Sequence, residues 1–455
     1  MMKELDRYRE ALKAGVPGCK AAEAEAEKLK QLSVEVIDGQ TGRMSCSEQT
    51  EIFVRASNEK TGFVYTQKID GDASEVIKLA LSNSEASSAK EPEEFVTRSY
   101  WEDDKTEAKD LSLVTTDELK NKAKDMSLTL KKAFEAETGK TCSVMIGMTQ
   151  AIQTMGIVNT NGVDKTCTVQ RFTADISAEG YAGYQSVYSL DDFDIDELIR
   201  EFSQRKWINC EKIEPQAGVY RAVLSSQVVN NILITAWQMF SAKKAQTKGT
   251  PFASKLGQKI FSDCITIRDY KGGRDTKNQV LCGFSWEMDC EGVPSQDLTI
   301  VENGVLKGWM HNLSTAKQDK TVSTGNAGRK TLLSGNIHTD MSIMPKNFTI
   351  ESGTETLNQL IEACEDGVYV FENYDQFHAL NVVSGDFAFP CKAVLVKDKK
   401  PIGIMEGLTM NGNVAELFSC VEKVGADRVI NPLAMYDSYT VSGPAMLVKS
   451  LRISG

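Results

Sequence analysis

Three histidines, scattered carboxylates and eleven cysteines are the residues of this chain that could take part in catalysis or metal binding. The histidines are His311, His338 and His378, and no two of them lie within one helical turn. The H-E-x-x-H spacing, which places two zinc ligands on one helix face, is therefore absent. A site assembled from histidines that are distant in sequence remains open.

Acidic pairs are a second source of chemistry. Asp289 with Glu291, or the run of Asp191, Asp192 and Asp194, could serve general acid–base catalysis. Such runs are more typical of solvated faces and helix starts. Neither the G-x-S-x-G motif nor the phosphate-binding G-x-x-x-x-G-K-[ST] motif is present.

Two glycine-bearing loops and one thiol complete the candidates. The loops KGGRD (271–275) and STGNAGRK (323–330) could present backbone N–H groups to a carboxylate or phosphate, although their spacing alone favours plain turns. A hydrolase built on Cys391 and His378 is supported only by the presence of both residue types.

The composition excludes several classes of protein. A net charge of −11 over 455 residues disfavours direct nucleic-acid binding, and the densest basic run, KDKK at 397–400, is typical of a solvated turn. No apolar run approaches the ~18 residues that a membrane span needs, and the charged N-terminus predicts a cytoplasmic protein. The cysteines form no C-x-x-C pair, which favours buried reduced thiols.

These residues must be positioned by helices and strands, and the predicted order of those elements indicates an α+β fold. Helix-and-antiparallel-meander N-terminal units are followed by a strand-rich C-terminal domain. Residues 1–90 predict two short helices broken at AGVPG, then a meander, then a helix with Asp72 as N-cap. Residues 91–212 predict a second α+β unit with a hairpin at Asn161-Gly162. Residues 213–455 form the third unit, with a hairpin at Asn303-Gly304.

The third unit begins with a long helix predicted over 226–246. Its centre, ILITAWQMF (232–240), contains no histidine, cysteine, aspartate or glutamate. Apolar residues cover most sides of this helix, so we expect it to be buried.

The segment DCEGVPSQDLTIVENGVLKGWMHNLSTA (289–316) resembles the signature block of the TldD/PmbA family, once called modulators of DNA gyrase. The matching positions are Glu291-Gly292, Pro294, Glu302-Asn303-Gly304 and Lys307-Gly308. STGNAGRK resembles the family's next loop at Thr324, Gly325, Asn326, Gly328 and Arg329, and GIVNTNGV (156–163) and VVSGDFAF (382–389) resemble further blocks. The resemblance extends from about residue 30 to the end.

Family members of the TldD type carry His-Glu-x-x-x-His on a helix that binds zinc, with a further ligand near the C-terminus. Ungapped comparison with that helix places Ile234, Thr235 and Met239 at the His, Glu and His positions. The last block, NPLAMYDSYTVSGPAML, also lacks the cysteine expected as third ligand. The chain thus resembles the TldE (PmbA) type, in which no metal ligands are expected and zinc is expected only in a TldD-type partner.

The resemblance implies a non-catalytic subunit of a two-chain zinc metalloprotease that acts on unfolded peptides or small proteins. Glu291, Pro294, Asn326 and Arg329 are the residues that we expect to line a peptide cleft, and the guanidinium of Arg329 could bind a carboxylate. The alternative is a stand-alone peptide- or protein-binding modulator, related to gyrase or to a toxin–antitoxin pair, without proteolysis. A homodimer is expected when the chain is alone.

Overall fold

The computed structural model of the chain describes residues 2–86, 93–101, 111–178, 181–203, 210–274, 280–281, 287–329, 341–432 and 439–455. Helices and strands are mixed throughout, and the predicted α+β class is confirmed. No helix among the described residues is both long enough and apolar enough to cross a membrane.

The N-terminal part consists of one sheet and the helices that cover it. In chain order its elements are α1 (Asp6–Ala14), β1 (Ala21–Ile37), β2 (Gln40–Ser57), β3 (Thr61–Thr66), α2 (Ala73–Asn83), α3 (Thr116–Thr138), β4 (Val144–Asn159), β5 (Asp164–Ala178), β6 (Tyr181–Val187) and α4 (Ile195–Ser203). Short 3-10 turns occupy Lys3–Leu5, Ser84–Ala86, Arg98–Trp101 and Leu190–Asp192.

Two helices were expected in the first 32 residues, and the prediction of the second one is wrong. That segment belongs to β1, a strand of 17 residues. Alanine, glutamate and lysine are strong helix formers, which is why the segment AAEAEAEKLK suggested a helix. The same letters alternate with a period of two, so that a strand places Ala22, Ala24 and Ala26 on one face and the glutamates on the other. Because the side chains on both faces of this segment are buried, it folds as a strand of the sheet and not as a helix.

The strand order β3-β2-β1-β4-β5-β6 crosses the boundary that we expected near residue 90. β1 pairs antiparallel with β4 from Glu23–Asn159 to Ile37–Met145, so the two predicted N-terminal units share one sheet. One face packs on α1 and α2 through Ala22 and its neighbours, and on α3 through Leu32 and its neighbours. The other face, at the end near Glu23, is turned towards the C-terminal part.

The C-terminal part is richer in strands. Its elements are β7 (Gly218–Leu224), α5 (Ser226–Ala236), α6 (Ala242–Gln246), β8 (Ile267–Tyr270), β9 (Gly273–Arg274), β10 (Val280–Leu281), β11 (Leu298–Glu302), β12 (Val305–Leu306), α7 (Leu313–Asp319), β13 (Ala327–Gly328), β14 (Ser342–Ile343), β15 (Asn347–Ile350), α8 (Leu357–Cys364), β16 (Gly367–Asn373), β17 (Asp386–Lys397), β18 (Lys400–Asn413), α9 (Val414–Ser419), β19 (Val421–Pro432) and β20 (Thr440–Ser454).

The main C-terminal sheet follows the order β12-β11-β8-β15-β20-β18-β17-β16-β7, and β7 pairs again with β20. Among the described strands, β20, β18, β17, β16 and β7 therefore form a closed ring, and β19 pairs with β20 outside this ring. The main apolar core lies here, and α5 contributes Val229, Ile232 and Leu233 to it.

The helix expected over 226–246 is divided. α5 ends at Ala236, a 3-10 turn spans Trp237–Phe240, and α6 follows from Ala242. Ser241 between them is extended because its backbone forms a strand-like bridge with Met310.

One helix cap and two hairpin turns that were predicted from short sequence motifs are confirmed. The side chain of Asp72 accepts a hydrogen bond from the backbone N–H of Ser74 at 2.8 Å and caps α2 as predicted. Asn303 and Gly304 both have positive φ values, 48° and 78°, as a tight hairpin turn requires. The hairpin predicted at Asn161-Gly162 joins β4 and β5.

Candidate functional site

The positions that correspond to the His, Glu and His of a TldD-type helix are buried in this chain. Ile234 and Met239 have no exposed surface, and Thr235 is 3% exposed. The hydroxyl of Thr235 donates to the carbonyl oxygen of Gln376 at 2.7 Å. Aliphatic and thioether side chains packed in a core, with one hydroxyl already donating, do not fit a zinc ion, which takes imidazole, thiolate or carboxylate ligands.

Tyr439 and Trp237 pack against this helix. The Tyr439 hydroxyl donates to the carbonyl oxygen of Ile234 at 3.2 Å, and its ring meets the Trp237 ring edge-on at 5.4 Å between centroids. The helix therefore acts as a packing element in the C-terminal core.

The signature loop that contains Glu291 is organised by Asp289. Its carboxylate accepts hydrogen bonds from the backbone N–H groups of Glu291 and Val293, each at 2.9 Å, and of Ala327 at 2.8 Å. Asp289 is buried, and burial raises the pKa of its carboxyl. This residue thus ties the 289–293 loop to the 323–329 loop.

Glu291 lies beside Asp289 and is 3% exposed. It accepts a hydrogen bond from the backbone N–H of Leu313 at 2.8 Å, and its other oxygen lies 3.9 Å from the guanidinium of Arg55. Burial, followed by repulsion from Asp289, raises the pKa of Glu291 to about 8. The predicted acid pair is therefore buried, and its hydrogen bonds hold backbone groups in place.

The glutamates of β1 form a buried acidic face, which we define as Glu23, Glu25 and Glu27. They are 1%, 1% and 7% exposed. Across the strand pair they lie opposite Arg55, Phe53 and Glu51 of β2. This face lies against the signature loop, because Met155 and Ile157 on the same face pack with Met288, Val293 and Leu313. Other buried charged residues near this boundary include Glu51, Arg55, Asp269, Asp289, Glu291, Arg329 and Lys346.

Arg329 crosses the boundary between the two parts of the chain. Its Nε donates to the Oε2 of Glu25 at 2.6 Å, and its guanidinium lies 3.4 Å from the centroid of the Phe53 ring. The side chain is 1% exposed. Arg55 makes a second buried pair, with its Nη2 at 2.5 Å from the Oε1 of Glu23.

Asn326 connects the same loop to β8 and to Met344, which follows β14. Its amide nitrogen donates to Asp269 at 2.6 Å and to the carbonyl oxygen of Met344 at 3.0 Å. Asp269 also accepts from the backbone N–H groups of Lys346 and Asn347, and burial raises its pKa to about 6.

The structure brings the four predicted cleft residues into one region. Glu291, Asn326 and Arg329 are buried and bonded to protein atoms, whereas Pro294 is half-buried. Arg329, through Glu25, and Glu291, through Arg55, connect the C-terminal part to the N-terminal sheet, and contact with a peptide stays a prediction. The N–H groups of Thr324, Gly325, Asn326 and Ala327 all donate to protein acceptors, so these four donors are used within the protein.

The other sequence candidates are dispersed. His311 is buried, which lowers its pKa, while exposed His378 bonds Asp375 at 2.7 Å between Nδ1 and Oδ1. His338 and Asp275 lie outside the described residues. Burial raises the pKa of the Cys391 thiol to about 12, which keeps it protonated and makes it a poor nucleophile.

Sequence reasoning missed the buried acidic face. Its signal was the alternation AEAEAE, in which a charge at every second position of a strand lies on one face. Glutamates are rarely buried unless they are paired, so neither their burial nor their partners could be inferred from that segment alone.

Relatives of this chain are known from sequence and structure. An uncharacterized protein from Methanocaldococcus jannaschii is 30% identical over 279 residues, which are 60% of this chain and 62% of that protein. A metalloprotease TldD homolog from Buchnera aphidicola is 29% identical over 235 residues, 51% of this chain and 46% of that protein. The match thus spans less than two thirds of either relative.

Crystal structures show the same fold. TldE from Thermococcus kodakarensis superimposes with a TM-score of 0.76 at 18% identity, covering 99% of this chain and 100% of that chain. A Thermotoga maritima protein named for modulation of a DNA gyrase gives a TM-score of 0.75 at 21% identity, covering 98% of both chains.

A family model described as the PmbA/TldA metallopeptidase C-terminal domain matches residues 217–455. This match covers more than half of the chain and includes the signature loop, the Asn326–Arg329 segment and α5. The chain belongs to the PmbA/TldD metallopeptidase family.

Proposed function

We propose that this chain is the non-catalytic, TldE-type subunit of a TldD-type zinc metalloprotease complex that acts on unfolded peptides or small proteins. Support comes from the family membership, from relatives named as TldD metalloproteases and from the fold shared with TldE. The catalytic zinc belongs to the partner subunit in this proposal.

The observation that carries the proposal is the burial of Ile234, Thr235 and Met239 in the C-terminal core. A helix with these side chains keeps the packing role of its counterpart but cannot supply metal ligands. Hydrolysis then requires a second chain that carries the His-Glu-x-x-x-His motif.

The chain's part in substrate binding is proposed for the surface around Pro294, above the buried residues Glu291, Asn326 and Arg329. These buried residues hold the loops whose outer surface would form one wall of a peptide cleft beside the partner's zinc. The ten described cysteines are all free thiols, which supports a reducing compartment, and we place the complex in the cytoplasm. Alone, the chain is proposed to form a homodimer.

Co-expression with a TldD-type subunit tests the proposal. We expect the two chains to co-purify, the complex to hydrolyse an unfolded peptide in a zinc-dependent manner, and this chain alone to show no hydrolysis above background. Thr235→Val and Met239→Leu in this chain should leave the complex fully active, because neither position supplies a group to catalysis and Thr235→Val removes only the buried hydrogen bond to Gln376. The matched substitution of a motif histidine in the partner should abolish activity.

Peptidase activity of this chain alone, or failure to bind a TldD-type chain, would overturn the proposal. Binding of peptide or gyrase by the isolated chain without any proteolysis in the presence of a partner would favour the stand-alone modulator instead.

A further inference from the structure

We propose that Glu25, Glu27 and Cys290 form a binding site for a divalent cation of the zinc class, at the boundary between the N-terminal sheet and the signature loop. The site is separate from Ile234, Thr235 and Met239, and it does not rest on the proposed function. Its role is structural: it ties β1 to the 289–293 loop.

The geometry brings three ligand atoms together. One carboxylate oxygen each of Glu25 and Glu27 and the Sγ of Cys290 all lie within 4.8 Å of one another. Glu25 and Glu27 are two residues apart on a strand, so their side chains project from the same face. Cys290 lies on a loop fixed by Asp289 and by the bond from the Cys290 N–H to the carbonyl oxygen of Ala327 at 3.3 Å. It is the one such group among the described residues.

Two buried oxygen atoms at this site have no hydrogen-bond partner among the described residues: the Oε1 of Glu25 and the Oε1 of Gln153. Gln153 is 2% exposed, and its amide nitrogen donates to the Oε2 of Glu27 at 3.1 Å, which holds its oxygen beside the same carboxylate. A buried polar atom without a partner is costly. A cation bound by the Oε1 of Glu25 would satisfy this atom.

The charges around the site require compensation. Arg55 pairs with Glu23, and Arg329 pairs with the Oε2 of Glu25, which leaves the Oε1 of Glu25 directed elsewhere. Glu27 lies directly opposite Glu51 across the strand pair, and both are buried. Burial raises the pKa of Glu25 to about 7, and Glu27 adds to this effect while Arg329 opposes it. A divalent cation would favour the ionised form of each ligand.

The ligand types select the metal. A thiolate favours Zn²⁺ and similar borderline cations over Ca²⁺ and Mg²⁺, which take oxygen ligands alone. Two carboxylates and one thiolate supply three positions of a tetrahedral zinc site, and the oxygen of Gln153 or a water molecule supplies the fourth. Cys290 is half-buried.

The test is zinc binding by the full chain after treatment with a chelator. We expect one equivalent of Zn²⁺ to bind, and Co²⁺ in its place to give a near-ultraviolet thiolate-to-metal absorption band. Cys290→Ser should remove the band, and Cys290→Ser and Glu27→Gln should each weaken Zn²⁺ binding at least about tenfold. The two variants lie on opposite sides of the boundary, and thermal unfolding of the metal-free proteins checks that each is folded.

Two other thiols provide matched controls. Cys167→Ser removes a buried thiol in the same interface, and Cys46→Ser removes an exposed one, so both should bind Zn²⁺ as the natural chain does. Absence of bound Zn²⁺, or binding that is unchanged in Cys290→Ser and Glu27→Gln, would overturn the inference. Zinc that is lost only on Met239→Leu or Thr235→Val would overturn both this inference and the proposed function. Zinc lost on Cys290→Ser supports the inference whether or not a TldD-type partner binds.

Discussion

Replacing Arg329 by alanine is expected to lower the free energy of unfolding by about 3–5 kcal/mol. The guanidinium of Arg329 is fully buried, donates to Glu25 and stacks on Phe53. Its removal leaves the carboxylate of Glu25 buried at the boundary without its cation, next to Glu23 and Glu27. Urea-induced unfolding, followed by circular dichroism, measures the loss.

The matched control is an ion pair of the same kind that is exposed. Lys212 pairs with Glu406 at 2.7 Å, but the lysine side chain is 73% exposed, so Lys212→Ala should cost less than about 1 kcal/mol. The double variant Arg329→Met with Glu25→Gln should lose less free energy of unfolding than Arg329→Ala alone, because it also removes the charge of the Glu25 carboxylate. If Arg329→Ala were no more destabilising than Lys212→Ala, the proposed part of this pair in joining the two halves of the chain would be wrong.

In chelator, the stability of the chain is expected to fall as the pH rises from about 5 to about 8. The pKa values of Asp269, Glu25 and Glu291 are raised to about 6, 7 and 8, mainly by burial, whereas unfolded carboxyl groups titrate near ~4. Over this range the folded state therefore holds protons that the unfolded state has already released. These groups therefore stabilise the folded state relative to the unfolded state at low pH. This stabilisation is lost as the pH rises through the pKa values that the groups have in the folded state.

Glu291→Gln isolates the largest of these contributions. The amide is neutral at every pH, resembles the protonated carboxyl and can still accept from the backbone N–H of Leu313. Between pH 5 and pH 8 we expect the free energy of unfolding of this variant to rise by about 1–3 kcal/mol relative to that of the natural chain. Urea unfolding at each pH measures this difference.

Glu406→Gln is the control for the pH series. The pKa of Glu406 is lowered by its hydrogen bond to Lys212. Its contribution is therefore already complete above the ordinary carboxyl pKa, and its profile from pH 5 to pH 8 should run parallel to that of the natural chain. Identical slopes for the natural chain and Glu291→Gln would show that Glu291 is ionised in the folded protein at pH 5.

Local features were predictable because they depend on a few neighbouring residues. Asn303-Gly304 and Asn161-Gly162 predict tight turns since these residue types tolerate positive φ, and Asp72 predicts a helix cap since its carboxylate is near the first free N–H groups. The signature block at 289–316 likewise indicated the family. The burial of most of the ILITAWQMF segment followed from the apolar residues that cover most of its sides.

The sequence by itself determined the α+β class, these turns and the absence of metal-binding side chains at Ile234, Thr235 and Met239. Only the tertiary structure decided that residues 21–37 form a strand, because helix propensity is worth tenths of a kcal/mol per residue, whereas burial of two faces involves the whole sheet. It alone also brought Arg329 to Glu25, 304 residues earlier in the chain. A buried charge is stable only beside its partner, and nothing near AEAEAE in the sequence indicates that its cation lies in the C-terminal domain.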